Sequence, residues 1–459
     1  MQFKSAHASL IQVLQNHKWA GAAGLLCLAS YLYLGSQSTS YAEAQLFDLL
    51  AVAFVSGLTT FTLWWHYERT SQQLPIALLL GFALLFRMVG ILSFPVLEDD
   101  FYRYLWDGYM WVEHGSPYGI APVEFFSHSG LSETFEDILS GINHPEVATI
   151  YGPVCQWFFA LAYLIAPGEI WPLQLLFSIA DLLLILLLLR LTRANNVMLY
   201  AWAPLVIKEF AFTAHPDVVG AMFLVAALVA SQRGRCSYAA ILLGLATGVK
   251  IFALIAAPFL FRFRWRSWAI FSVSLALLAF PFSIRAAWLP GGLSEMAANW
   301  FFNAPVYYLL QYTLSITAAK VLLLSLFCLF SLWLFCRESG FSGNQGKPLA
   351  NLSAELEAGK PRRIFRGDWL FAAFFLVLPA FNPWYFVWLL PFAAIYPSCW
   401  AWAASLALLL SYASGVNLQA SELGLYEHTP QLLAIEFAII AAAALYDLYA
   451  KRKNRFSSA

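Results

Sequence analysis

Residues 171–190 read WPLQLLFSIADLLLILLLLR. One carboxylate, Asp181, interrupts a stretch that is otherwise apolar on every face. At about 1.5 Å per residue, such a helix matches the roughly 30 Å hydrocarbon core of a bilayer. It therefore reads as a membrane span. Working outward, comparable runs precede it at Trp19–Gly35, Leu46–Trp65 and Leu74–Phe94. Others follow at Val197–Ala214, Val218–Ser231, Tyr238–Phe261 (broken at Gly248-Val249-Lys250), Trp268–Phe282 and Thr313–Cys336. The last are Trp369–Phe381, Trp384–Tyr396, Trp400–Tyr412 and Leu432–Leu448. The pattern predicts an all-α integral membrane protein with about 12–14 transmembrane helices. The short alternating strands of an outer-membrane barrel are not visible.

Composition agrees. Of 459 residues, 61% are hydrophobic and 11% charged, against about 25% charged in soluble domains. A soluble enzyme and a disordered chain are both excluded. Basic and acidic residues number 26 each, so no global field favours nucleic acid. The cysteines (27, 155, 236, 328, 336 and 399) are scattered, lack a C-x-x-C pair, and read as small core residues.

Charge placement predicts orientation. Segment 337–367 carries Arg337, Lys347, Lys360, Arg362, Arg363 and Arg366, and the tail carries Lys451, Arg452, Lys453 and Arg455. Both are expected in the cytoplasm of a cell with this protein in its inner (plasma) membrane. Segment 95–150 holds ten acids and a single base, Arg103. It is expected to face outward after three spans. The run Val154–Ala166, at about 20 Å, is too short for a full crossing and reads as partial or re-entrant. His215-Pro216-Asp217 then falls on the same outer face. The expected division is 1–73 as leading spans, 74–449 as the main membrane domain and 450–459 as a basic tail.

The densest polar chemistry starts where the third span ends, at Glu98-Asp99-Asp100-Phe101-Tyr102-Arg103-Tyr104-Leu105-Trp106-Asp107-Gly108. Adjacent carboxylates repel, so one keeps a raised pKa and can serve as a base. Most acids of this segment read simply as solvated loop charges. Asp181, Lys208, Glu209 and Lys250 lie in or beside apolar runs, where an ionisable side chain is costly and lines a cavity or finds a partner. If they serve structure alone, the expected pairs are Lys208 with Glu209 and Asp181 with Lys250.

Asp-Asp-x-Tyr-Arg-Tyr-x-Trp-Asp-Gly, followed by Ser116-Pro117-Tyr118 and Ala121-Pro122, resembles the first extracytoplasmic loop of bacterial mannosyltransferases of the GT-C superfamily. Asn143-His144-Pro145-Glu146 and Thr149-Ile150-Tyr151-Gly152-Pro153 are similar to the next family segment. Lys208-Glu209-Phe210, His215-Pro216-Asp217, Thr247-Gly248-Val249-Lys250 and Asn382-Pro383-Trp384-Tyr385 match later ones in order. Gly152 stands where Pro is more usual, and Ala214 where Gly is.

The resemblance covers roughly residues 75–400 and implies a GT-C helical bundle. It also implies an inverting glycosyltransferase that takes a sugar, mannose foremost, from a polyprenyl-monophosphate carrier to a lipid or glycan acceptor. Asp99 or Asp100 is the expected base, and Arg103, Lys208, His215 and Lys250 the expected phosphate-binding cations. Asp107, Tyr118, His144, Tyr151, Asp217, Asn382, Trp384 and Tyr385 are expected to bind acceptor or sugar. No cofactor is expected and no metal ligand set: the sequence shows no Gly-rich phosphate loop and no zinc spacing. Two rivals share these features, a transporter or lipid-linked sugar flippase, and a glycan polymerase or ligase with a diphosphate donor.

Overall fold

The computed structural model describes residues 17–38, 44–128, 130–283, 301–339, 364–414 and 430–456. Regular structure among them is helical throughout. No sheet forms among the described residues, where one isolated bridge pairs Phe302 with Ala380. The expected inner segment is described at 337–339 and 364–367, while 340–363 and the tail end 457–459 lie outside the described residues.

Six described helices are long and apolar enough to cross a bilayer: Lys18–Gln37, Leu46–Thr70, Trp171–Leu188, Trp265–Phe282, Ile316–Glu338 and Pro430–Arg452. Pro204–Phe212 and Asp217–Gln232 make a seventh if taken together, but they meet at a bend of 117°. Ile76–Ile91, Pro153–Ile165, Cys236–Val249, Ile251–Phe261, Gly367–Leu376 and Cys399–Ala413 are shorter apolar helices. Hydropathy predicts about 12–14 spans; six described helices, or seven with the bent pair, are long enough, and the remaining apolar runs form shorter or broken helices. Proline explains much of this, because it lacks an N–H and clashes with the preceding turn. Pro204, Pro383 and Pro391 each sit at the first turn of a short helical piece. The expected partial span is the 13-residue helix Pro153–Ile165.

The protein is thus an all-α, polytopic membrane protein whose architecture is consistent with a GT-C-like helical bundle. Its outer helices turn apolar side chains outward, as Val321, Leu324, Leu329 and Leu332 do along Ile316–Glu338. Water would penalise that face, whereas lipid does not. At the centre, Asp217–Gln232 packs against Trp171–Leu188, Cys236–Val249 and the short 3-10 helix Pro383–Trp388.

One buried ion pair corrects the sequence reading. Asp181 is paired with Arg87 at 2.6 Å, not with Lys250, and both side chains are 1% exposed. The Arg87 guanidinium also donates to the carbonyls of Ala83 and Ala201, and the Tyr200 hydroxyl donates to Asp181 at 2.6 Å. These bonds tie Ile76–Ile91 to Trp171–Leu188 and to the chain entering the bent pair. The reason is proximity: Lys250 has a closer carboxylate in Asp217, at 3.0 Å.

Candidate active site

The site begins at Leu97, whose φ of 52° turns the chain out of the third helix. The buried Glu98 carboxylate accepts the backbone N–H groups of Asp99 (3.3 Å) and Asp100 (3.4 Å). It thereby satisfies donors that a helix start leaves open, and its charge suits the positive end of the helix. Helix Asp100–His114 follows and stops at Gly115, φ 78°. Phe101, Tyr104, Leu105 and Gly108 share one helical face, which is buried, and the helix packs on Pro153–Ile165. Amphipathicity therefore fixes the rotation of the helix and the direction of Asp100.

Asp100 lines a cavity of about 360 Å³. Tyr151 donates to its Oδ2 at 3.3 Å, and Tyr104 approaches the same oxygen at 3.5 Å. Burial pushes the Asp100 carboxyl up to about 6, with the neighbouring Glu98 charge adding and His215, Tyr151 and Arg103 opposing. Asp99 does not line this cavity. It is buried, and the Asn143 side-chain amide donates to it. Burial, then the charges of Glu98 and Asp100, hold its carboxyl well above the ordinary range. Glu98, Asp99 and Asp100 each bring one oxygen to within 4.8 Å of the others, a grouping that a divalent cation could share.

Of the other expected residues, Arg103, His144, Tyr151, Asp217, Lys250, Asn382, Trp384 and Tyr385 line the cavity. Lys250 donates to Asp217 at 3.0 and 3.3 Å and lies 3.5 Å over the Tyr385 ring. The Trp388 indole donates to Asp217 at 2.8 Å. Arg103 is partly committed elsewhere: it donates to the carbonyls of Val147 (2.9 Å), His144 (3.0 Å) and Asn143 (3.2 Å). It thereby folds the 143–147 segment over the cavity.

Asp107, Tyr118, Lys208 and His215 stand behind the wall. Asp107 accepts from Thr149 at 2.5 Å and Gln156 at 2.8 Å, and Tyr118 donates to the Tyr151 carbonyl at 2.8 Å. Both hold the segment that presents Tyr151. Lys208 and Glu209 pair at 3.2 Å on a π-helical turn, Ile207–Phe212. Such turns are rare and recur at functional sites. Tyr412 donates to both Glu209 oxygens, at 2.9 and 3.1 Å, and the Lys208 ammonium lies 3.7 Å over the Tyr412 ring. His215 stacks on Trp384 at 4.0 Å and meets the Tyr104 hydroxyl at 2.9 Å. It therefore links the buried charges to the cavity wall.

Both departures from the family pattern have a local account. A Cβ on Gly152 would lie 2.2 Å from the Gly248 carbonyl oxygen, so here two backbones touch and no side chain fits. Ala214 has φ 56°, a left-handed conformation that glycine adopts more cheaply. The 117° bend follows it directly.

Sequence reasoning passed over Arg87, Gln156, Trp388 and Tyr412. Arg87 and Gln156 carry a legible signal, being lone polar groups in apolar runs. Trp388 and Tyr412 carry none, because their partners are 171 and 203 residues away.

No curated protein and no solved structure matches the chain. A family model does: alpha-(1->6)-mannopyranosyltransferase, N-terminal domain, over residues 20–266. That stretch contains the acidic loop, the bent pair and Lys250, more than half of the 459 residues. A membrane-embedded domain related to GT-C mannosyltransferases is therefore present, and the chain belongs to the alpha-(1->6)-mannopyranosyltransferase family.

Proposed function

We propose that this protein is an inverting glycosyltransferase. It moves mannose from a polyprenyl-monophosphate carrier to a hydroxyl of a lipid or glycan acceptor on the extracytoplasmic face. One observation carries the reading: the Asp100 carboxylate and the Lys250 ammonium face a common cavity, in a chain related to mannosyltransferases. Asp100 takes the acceptor proton while the acceptor oxygen attacks C1. The lipid phosphate departs with the electron pair of the C1–O bond, and Lys250 offsets its charge. A cation is worth more at low dielectric than in water. Of Asp99 and Asp100, the one lining the cavity is the better base. Lys208 and His215, set behind Trp384, act by fixing that wall.

Purified protein incubated with radiolabelled polyprenyl-phosphate mannose and membrane lipids should produce a labelled product other than the carrier. Label that remains on the carrier under every acceptor condition sinks the proposal.

Orientation has its own test. In a cysteine-free background, Ser132→Cys should react with an impermeant thiol reagent on intact cells, and Lys451→Cys should not. The charge asymmetry between the acidic loop and the basic tail motivates this expectation. Equal labelling would put the cavity on the wrong side for the donor.

Lys250→Met is expected to slow transfer by about 10²-fold, the typical cost of losing one charge-stabilising donor. It also removes the cation paired with Asp217, leaving that carboxylate the Trp388 indole as donor. The double variant Lys250→Met with Asp217→Asn separates the effects. Recovery of stability without activity supports the phosphate role. Recovery of both makes Lys250 structural.

A further inference from the structure

We propose that a second cavity, built by residues beyond the family-matched region, holds a neutral, hydroxyl-rich sugar unit of the acceptor. The inference rests on the glycosyltransferase reading and extends it to a subsite. The cavity measures about 330 Å³, within the range of small-molecule pockets. Asn303, Tyr307, Tyr308, Gln311 and Phe301 line it, with Leu433 opposite. Directly behind Asn303 lies Glu436, and the Asn303 amide donates to Glu436 Oε1 at 2.8 Å.

The second Glu436 oxygen, Oε2, and the Asn303 oxygen, Oδ1, have no hydrogen-bond partner among the described residues. Asn303 is 2% exposed and Glu436 0%. Acceptors buried without donors are costly, and native structures keep them chiefly where a ligand, ion or water completes the set. Asn303 also has a left-handed backbone, φ 50°, a conformation that gathers at ligand sites.

The lining selects the ligand class. Among the described residues no Lys, Arg or His lines the cavity; Lys320 lies 5.0 Å over the Phe301 ring, outside the lining, so the lining itself offers neutral polar groups and aromatic faces. A calcium-like cation takes six or more oxygens, and this wall supplies too few. What fits is a molecule with a hydroxyl donor for the Asn303 oxygen and C–H faces for the tyrosines, which describes a hexose.

The position also fits. Phe302 brackets Ala380: its N–H donates to the Pro379 carbonyl (3.0 Å) and its carbonyl accepts from the Phe381 N–H (2.8 Å). The Tyr307 hydroxyl donates to the Val377 carbonyl at 3.0 Å. The chain from Val377 to Phe381 runs straight into Asn382 and Trp384, which line the first cavity. One continuous stretch of chain thus links the contacts of the second cavity's residues to the lining of the first. Helix Pro430–Phe456 starts beside the second cavity and carries Lys451 and Arg452 toward its far end. By the charge rule the cavity opens on the side of the acidic loop.

The test uses the full chain with octyl mannoside acceptors, from the monosaccharide to the α-(1->6)-linked tetrasaccharide. Wild type should show an acceptor KM that falls about tenfold as the glycan lengthens, about the net worth of one hydrogen bond. Asn303→Ala and Tyr308→Ala should flatten that dependence and leave kcat on octyl mannoside unchanged. Tyr308 is only half-buried at the rim, so its variant guards against misfolding of the other. As a readout without turnover, the longer glycans should raise the wild-type melting temperature, and this rise should vanish in Tyr308→Ala. Transfer with one length dependence in all three proteins, and no variant-sensitive melting shift, overturns this inference alone. Length-dependent stabilisation without any transfer overturns the transferase reading and supports the cavity.

Discussion

Asp100→Asn is expected to reduce sugar transfer by about 10²–10⁴-fold, the usual cost of a lost general base, and to leave the protein folded. Asp100 faces the cavity and is oriented by Tyr151, so its amide isostere keeps the shape and removes only the basicity. Asp99→Asn should cost less, since that side chain is held by Asn143 away from the cavity. The pH profile gives a second check. With the Asp100 carboxyl raised to about 6, only the deprotonated form is a base. The wild-type rate should therefore fall about tenfold per pH unit below that value and level off above it. Stability responds with the opposite sign. A carboxyl raised in the folded state favours folding while protonated, and that contribution is lost as pH rises through about 6. Asn at this position should then be neutral or stabilising at pH 7. Near wild-type turnover in both single variants would remove the base from this loop.

The largest stability effect is expected from Arg87→Met. Its partner Asp181 is fully buried. Removal of the guanidinium leaves that carboxylate with the Tyr200 hydroxyl as its one side-chain donor among the described residues. Breaking one side of a buried pair costs about 3–5 kcal/mol. Adding Asp181→Asn should recover much of that cost, because no uncompensated charge then remains. Unfolding midpoints of the two single variants and the double variant, measured in one detergent, decide the matter. If Arg87→Met melts with wild type, the ion pair contributes nothing to the fold. Activity should follow folding throughout, since Arg87 and Asp181 do not line the cavity.

Much of the architecture is legible in local sequence. A run such as 171–190 has no stable place in water, and a bilayer forces its backbone to bond within itself, so a helical bundle follows. The interruptions are less legible. Hydropathy averages over windows and reads Val197–Ala214 as a span, whereas Pro204, the π turn and Ala214 divide it. Lys208 next to Glu209 reads as a pair from adjacency alone, and the structure keeps that pair. Asp181 with Lys250 is equally compatible with sequence, yet does not form because a nearer partner exists for each.

Local sequence is enough to make this a helical membrane protein with an acidic segment between apolar runs, some of which carry charged residues. Those conclusions depend on composition and on neighbours within a few residues. Tertiary structure alone decided that Asp100 rather than Asp99 faces the cavity, that Arg103 is tied to carbonyls, and that Tyr412 and Trp388 hold the buried acids. It alone also joined Asn303 to Glu436, 133 residues apart. The physical reason is that hydrogen bonds and ion pairs act over a few ångströms. Which groups come that close is set by how the broken helices pack, and packing leaves no trace in a local window.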